Sequence, residues 1–367
     1  MLVAAGFSPR SAERGLKPAA TNQFPWCPMS WSRIRGQSAA LAAFHAAFDR
    51  GRLGQAYLLV GPDGVGKRLF ATELAKALLC EKPPAALTAC DHCPACAQVS
   101  AGTHPDVLTL ATPEGKHELP VEAMRGFCTR MALKPARGRR KVGVVLDADD
   151  FNEESANSFL KTLEEPAPGA LLLLLATGTD GQLPTILSRC QIVRFAPLGP
   201  ADLRAVLETE GVAADQLDRL VRLGGGSAGR ALALADPAVW ELRKTLVEGV
   251  TAPRPNFAAL SEAWQAFHED AGKDTAAQRM RASLAVGFLL DAVRDALRLG
   301  VGADVPDLDA AEADRLAAFA QRVGPDRLLE LIDRCVEADA NVARRVQLIL
   351  VVEAVLEQFT RVPTPVK

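Results

Sequence analysis

The sequence predicts an α/β nucleotide-binding domain on a parallel sheet, followed by an all-helical region. Three observations carry this. Short apolar runs alternate with helix-like stretches through the first half. A glycine-rich loop, "GPDGVGKR" (61–68), directly follows the first of these runs. Beyond "APLGP" (196–200) no strand-like run recurs, and the chain reads as amphipathic helices.

The elements follow in order. Residues 1–29 combine a very short apolar start with basic and Ser residues and little acid. That is too little for a secretory signal; a disordered extension is the preferred reading and a transit peptide the second. "AYLLV" (56–60) is the first strand and "RLFATELAKALL" the helix after the glycine loop. Strand-loop-helix is the context that gives a G-x-x-x-x-G-K pattern its meaning. Gly61, Gly64 and Gly66 let backbone N–H groups converge on phosphate, and Lys67 reaches between the outer phosphates. The eighth position, which normally carries a Mg²⁺-holding hydroxyl, is Arg68. A guanidinium has only donors and cannot ligate a cation. The loop therefore binds phosphate without a properly held Mg²⁺, or binds nothing.

"VLTL" (107–110), "VGVVL" (142–146), "LLLLLA" (171–176) and "IVRF" (192–195) are the further strands. The second and third lack polar alternation, as expected of strands buried on both faces. Asp147 closes "KVGVVLD" where an acid would approach Mg²⁺. The Glu that should follow and orient water is Ala148, and Asp149 is a poor substitute. Two independent losses point to an absence of hydrolysis. "KPARGRRK" (134–141) is a basic loop, solvated or in contact with DNA phosphate. After residue 237 the spacing of Leu328, Leu331, Ile332, Cys335 and Val336 is helical.

Composition sets the limits. A net charge of −2 gives no global pull toward nucleic acid, so any DNA contact must be local. No apolar run reaches the ~18 residues of a membrane helix. Eight cysteines in 367 residues are not a disulfide scaffold. Four of them, Cys80, Cys90, Cys93 and Cys96, form "C-EKPPAALTA-C-DH-C-PA-C". Four thiolates suit a closed, structural Zn²⁺ site in a reducing cytosol, with His92 and His104 as alternative ligands. Such a site would fold an insertion that has little core of its own.

These features, with "NSFLKTLEEPAPGALLLLLATGTDGQLPTILSRC" (157–190), resemble the clamp-loader family of bacterial DNA polymerase III, AAA+ proteins. The resemblance covers nearly all of residues 31–360 and is strongest in "LKTLEEP", "SRC" and the cysteine module. It implies a RecA-like AAA+ domain at 30–196 with a zinc module at about 80–104. A three-helix lid at 197–236, a helical collar at 237–361 and a tail at 362–367 follow. It implies a five-chain ring that opens a sliding clamp around primer-template DNA, with tau/gamma and delta subunits as partners. Of the two kinds of chain that look alike here, "GTHPDV" (102–107), Arg68 and Ala148 favour a non-hydrolysing stator. An active ATPase of tau/gamma type is the alternative. A zinc-dependent DNA-binding protein with a decayed nucleotide fold is a third reading, which the near-neutral charge disfavours. Arg189 of "SRC" corresponds to the family's arginine finger, acting on a neighbouring subunit's ATP. Thr177 matches the sensing position and Arg230 the lid sensor, within a degenerate nucleotide site alongside Asp147. The resemblance thus implies a cytoplasmic replication component without independent catalysis, part of the polymerase III holoenzyme.

Overall fold

The computed structural model describes residues 31–361 except 114, 115, 117, 138, 139, 273, 274, 306, 307, 344 and 345. The extension expected over 1–29 and the tail over 362–367 lie outside the described residues. The chain divides into two compact units. Of the described residues, the first holds those within 31–62, 66–111 and 119–196; the second holds those within 63–65, 112–118 and 197–361.

In the first unit, α1 (Ser38–Asp49) precedes β1 (Ala56–Val60), then α2 (Lys67–Leu79) and α3 (Pro94–Ser100). β2 (Val107–Leu110), α4 (Val121–Ala132), β3 (Lys141–Val145) and α5 (Glu153–Glu164) follow. β4 (Ala170–Ala176), the single turn α6 (Pro184–Leu187) and β5 (Gln191–Arg194) complete the unit. The strands form one parallel sheet in the order β2-β3-β4-β1-β5. This is the predicted α/β architecture. Every residue of β1, β3 and β4 is buried, which explains their unbroken apolar runs. β5 is an edge strand with Ile192 exposed, and its burial does not match its apolar sequence.

Each sheet face has its own packing. One carries α4 and α5, with Met124, Phe127, Phe159 and Leu163 in the core. An aromatic cluster of Trp31, Phe44, Tyr57, Phe70 and Phe195 joins α1 and α2 to β1 and β5. Local chemistry sets the helix ends. Asn152 and Ser155 form a reciprocal capping box at α5, satisfying N–H groups that the helix leaves free. Buried Lys141 donates to the carbonyls of Arg130 (2.8 Å) and Leu133 (3.1 Å), closing the C-terminus of α4.

The second unit is helical. α7 (Pro200–Thr209), α8 (Leu217–Gly224) and α9 (Ala228–Ala233) are short. α10 (Pro237–Thr251), α11 (Phe257–Glu269), α12 (Thr275–Gly300), α13 (Ala310–Val323), α14 (Pro325–Ala343) and α15 (Leu348–Thr360) are longer. One continuous apolar core runs from Leu198 and Leu203 through Trp264 and Phe288 to Phe359. Leu328, Leu331 and Cys335 point into it, but Val336 is 49% exposed and does not. Among the described residues, no helix is long and apolar enough to cross a membrane.

Candidate functional site

Parallel strands bring their carboxyl ends to one edge of the sheet, where open α/β folds bind ligands. Gly61, Asp147 and Thr177 follow β1, β3 and β4 there. The glycine loop leads into α2, whose N-cap is Gly66 at φ +99°, a conformation that costs an L side chain dearly. Gly61 serves packing: a Cβ there would lie 2.3 Å from the Phe195 carbonyl oxygen. Gly64, at φ +75°, has Ser227 Oγ and the Gly229 backbone in the space a Cβ would take. Residues 63–65 belong with the second unit, where Ser227 Oγ donates to Asp63 O at 2.7 Å.

The Lys67 ammonium is buried and donates to the carbonyls of Gly61 and, at 2.9 Å, Pro62. It is folded back onto its own loop. Arg68 is exposed on the first turn of α2. Ala148, in the position where a water-orienting Glu would stand, is 1% exposed and packs into the apolar core under the sheet edge. Asp149 is committed elsewhere. Its Oδ2 accepts from the Thr177 backbone N–H at 2.7 Å, and its Oδ1 from Gln182 Nε2 at 3.1 Å. Thr177 is exposed and held by that bond, whereas Gln182 is buried.

Arg189 lies two residues beyond α6. Its guanidinium donates to Thr185 O at 2.9 Å and to Ser188 Oγ at 3.3 Å, and pairs with Glu164 at the end of α5. The Arg189 side chain is 31% exposed and that of Glu164 48%. An ion pair in that setting contributes only about 0.2–1 kcal/mol and is readily exchanged for another anion.

Arg230 is engaged inside the second unit. Its Nε donates to Leu223 O at 3.0 Å and its Nη2 lies 3.5 Å from Asp291 on α12. Burial raises the Asp291 pKa, against the pull of Arg230. A Cβ at Gly287 would lie 2.5 Å from Arg230 Nη2, so this mid-helix glycine makes room for the guanidinium. Glycine there costs about 1 kcal/mol relative to Ala in helix propensity.

The four cysteines come together: the Sγ atoms of Cys80, Cys90, Cys93 and Cys96 all lie within 4.8 Å of one another. Among the described residues this is the one such cluster of metal-binding side chains. Cys80 and Cys93 sulfurs are 4.0 Å apart, close to the ~3.8 Å that tetrahedral Zn–S bonds of about 2.3 Å require. Backbone N–H groups of Cys90, Cys93 and Cys96 point at the sulfurs of Cys80, Cys90 and Cys93. Such donors favour thiolate. The residues fit a metal ion with no coordination position left for chemistry. The His92 backbone N–H beside Cys90 helps bring that thiol down to about 6, while burial pushes Cys96 up. His104 is not in this cluster. Its Nδ1 accepts from the Asp106 backbone N–H at 3.1 Å, and burial lowers its pKa.

Sequence reasoning did not find the ties around these groups. Lys76 is buried between Glu73 (2.7 Å) and Asp91 (2.6 Å), joining α2 to the cysteine module. Burial raises the Glu73 carboxyl despite Lys76. Asp106 accepts from the backbone N–H groups of Ala136 and Arg137, anchoring the start of the basic loop. Apart from Glu73, one helical turn before Lys76, these partners lie 15 to 33 residues away, and no local pattern marks them.

A family model described as DNA polymerase III, delta subunit, matches residues 36–199. The DNA polymerase III subunit delta-prime of Pseudomonas aeruginosa is 32% identical over 353 residues, 93% of this chain and 98% of that protein. The Escherichia coli K12 delta-prime subunit is 32% identical over 78% of this chain and 82% of its own length. The E. coli tau subunit is 35% identical over 58% of this chain but 34% of its own length. A solved gamma-subunit-related protein of Thermotoga maritima covers 88% of this chain and 99% of its own, with a TM-score of 0.44 and 16% identity. That last likeness is too remote to carry an argument.

Proposed function

Because this chain belongs to the DNA polymerase III delta-prime family of clamp-loader proteins, we propose that it is the clamp loader's non-hydrolysing stator. It works in the cytoplasm with tau/gamma and delta subunits, loading the sliding clamp onto primer-template DNA. It supplies Arg189 to the nucleotide of a neighbouring subunit.

One observation carries the non-hydrolysing half of this reading: neither of the two residues after Asp147 has an uncommitted carboxylate to orient water. Ala148 faces the core, and Asp149 is held by Thr177 and Gln182. Arg68 adds a cation where a hydroxyl would hold Mg²⁺. Lys67 is turned onto its own loop carbonyls. Gly61, Gly66, Lys67, Asp147 and Thr177 therefore serve as architecture of the first unit rather than as an engine, and Gly64 and Arg230 serve the second unit.

Arg189 supports the second half. It is partly exposed, sits beside a partly exposed acid, and is positioned by one turn of helix whose Ile186 is locked in the core. A guanidinium of this kind placed against a neighbour's γ-phosphate neutralises charge that develops as the phosphoryl group transfers. We assign Cys80, Cys90, Cys93 and Cys96 to one structural Zn²⁺. When bound, the ion cross-links the 80–104 segment and supplies no reaction chemistry.

The test is ATP turnover by the purified chain, with and without Mg²⁺. The stator reading expects none above buffer. Turnover that Lys67→Ala abolishes would establish the tau/gamma-type reading instead.

A further inference from the structure

We infer that Asp149 is a positioning residue for Arg189: its carboxylate clamps the 177–183 loop that delivers the α6 turn and the arginine after it. The inference deepens the reading of Arg189 as a group acting on a neighbour and rests on it.

The geometry carries the case. Asp149 lies just beyond β3, in a single 3-10 turn at 148–150. It reaches across to the segment that leaves β4. One oxygen takes the Thr177 backbone N–H at 2.7 Å, at the first residue after that strand. The other takes the Gln182 side-chain amide at 3.1 Å, at the far end of the loop. Gln182 is buried and closes its own turn by donating from N to Thr179 O at 3.1 Å. Leu183 and Pro184 come next and start α6. Its Ile186 is fully buried, and Arg189 N donates back to Ile186 O. The carboxylate thus holds both ends of a six-residue arc whose only outlet is the turn that places Arg189. With the arc released, α6 would retain the anchor at Ile186 but lose the strap that fixes its approach.

This role differs from that of an acid acting on water or metal, and the difference is testable. A clamp needs a hydrogen bond to each end of the arc and does not need the negative charge. Asn at position 149 keeps Oδ1 for the Thr177 N–H. Its amide nitrogen can donate to Gln182 Oε1 once the Gln182 amide turns over. Among the described residues, Gln182 Oε1 has no hydrogen-bond partner to lose by that turn. Ala keeps neither bond.

The experiment uses two readouts on the full chain. Amide exchange of the isolated chain follows Thr177 and the loop behind it. ATP turnover of the reconstituted clamp loader, with its partner subunits and primed DNA, follows the service to the neighbour. In Asp149→Ala, exchange at Thr177 is expected to rise roughly tenfold, as for the loss of one part-exposed hydrogen bond. Complex kcat falls by up to roughly tenfold with KM unchanged, since small misplacements of a catalytic group are expensive. Asp149→Asn restores both to within about twofold, as one retained acceptor and one reversed hydrogen bond require. Should Asp149→Ala melt without a cooperative transition, Gln182→Ala, which removes one arm only, carries the same two readouts in the same directions. Unchanged exchange overturns the clamp. Faster exchange with unchanged kcat overturns the positioning role, provided Arg189→Ala lowers kcat in the same assay. If Arg189→Ala leaves kcat unchanged too, the reading of Arg189 fails and the inference fails with it, while the exchange result still decides the clamp. An Asn variant as impaired in turnover as Ala shows that the charge itself is needed and overturns the assignment.

Discussion

Asp149 and Ala148 are adjacent, yet their side chains go to opposite places: one into the apolar core, the other across the strand ends to Thr177 and Gln182. That division commits the Asp149 carboxylate to the segment that leaves β4. His104 shows the same dependence on surroundings. Burial lowers its pKa, and Arg137 adds to this while Asp106 and Glu81 oppose it. The neutral ring also keeps Nδ1 as acceptor for the Asp106 N–H. A histidine whose folded pKa is depressed contributes fully above its unfolded value of about 6.5. As pH falls through that value the unfolded chain takes up the proton first, and stability is lost until the folded pKa is reached. The urea midpoint of the wild-type chain should therefore drop between pH 7.5 and 5.5 by more than that of His104→Asn, which keeps an acceptor without titrating. Equal drops would remove His104 from the account. Sequence alone offered His104 as a spare metal ligand; its burial and its partner two residues on decide otherwise.

At the scale of elements, the cysteine module depends on more than its sulfurs. Trp31 Nε1 donates to Leu87 O at 2.8 Å, and Lys76 bridges α2 to Asp91 between the second and third cysteines. Asp91 takes φ +62°, so the turn that presents Cys90 and Cys93 is itself strained and needs holding. Metal analysis of the purified chain should give one zinc per chain. Cys96→Ser should lose it and open the 80–104 segment to protease, while the sheet retains its cooperative melt. Full protection without metal would show that the module stands on its packing. The elements were legible to different degrees. β1, β3 and β4 could be read from unbroken apolar runs because both their faces are covered. α2 was legible from the glycine loop that precedes it. β5 was legible as a strand but not as an exposed edge, since exposure depends on which strands lie beside it. The helical spacing after residue 325 was legible, and the chain forms α14 and α15 there. Val336 fits the spacing and still faces solvent, because helical periodicity gives a stripe without saying which neighbours cover it.

For the whole molecule, the account is of a nucleotide-binding fold whose parts have been kept for other uses. The cysteine cluster was legible because two C-x-x-C steps force three sulfurs close in sequence, and Cys80 joins them from the end of α2. The loop glycines, Lys67 and Asp147 were legible as a pattern; the turn of Lys67 onto its own loop carbonyls and the packing of Gly61 against Phe195 were not. Arg189 was legible from "SRC", whereas its resting partner Glu164 was not, being 25 residues away. That partly exposed pair keeps the guanidinium at the surface, available to a neighbour at a cost of no more than about 1 kcal/mol.

The most direct measurement of this account is single-turnover ATP hydrolysis by the reconstituted clamp loader carrying Arg189→Ala in this chain, with a melting curve to show that the chain is folded. The account predicts a cooperative melt within a few degrees of wild type and the loss of turnover at the one neighbouring site the arginine faces, on the order of 10³-fold at that site. A folded Arg189→Ala chain that leaves every site turning over at the wild-type rate would contradict it.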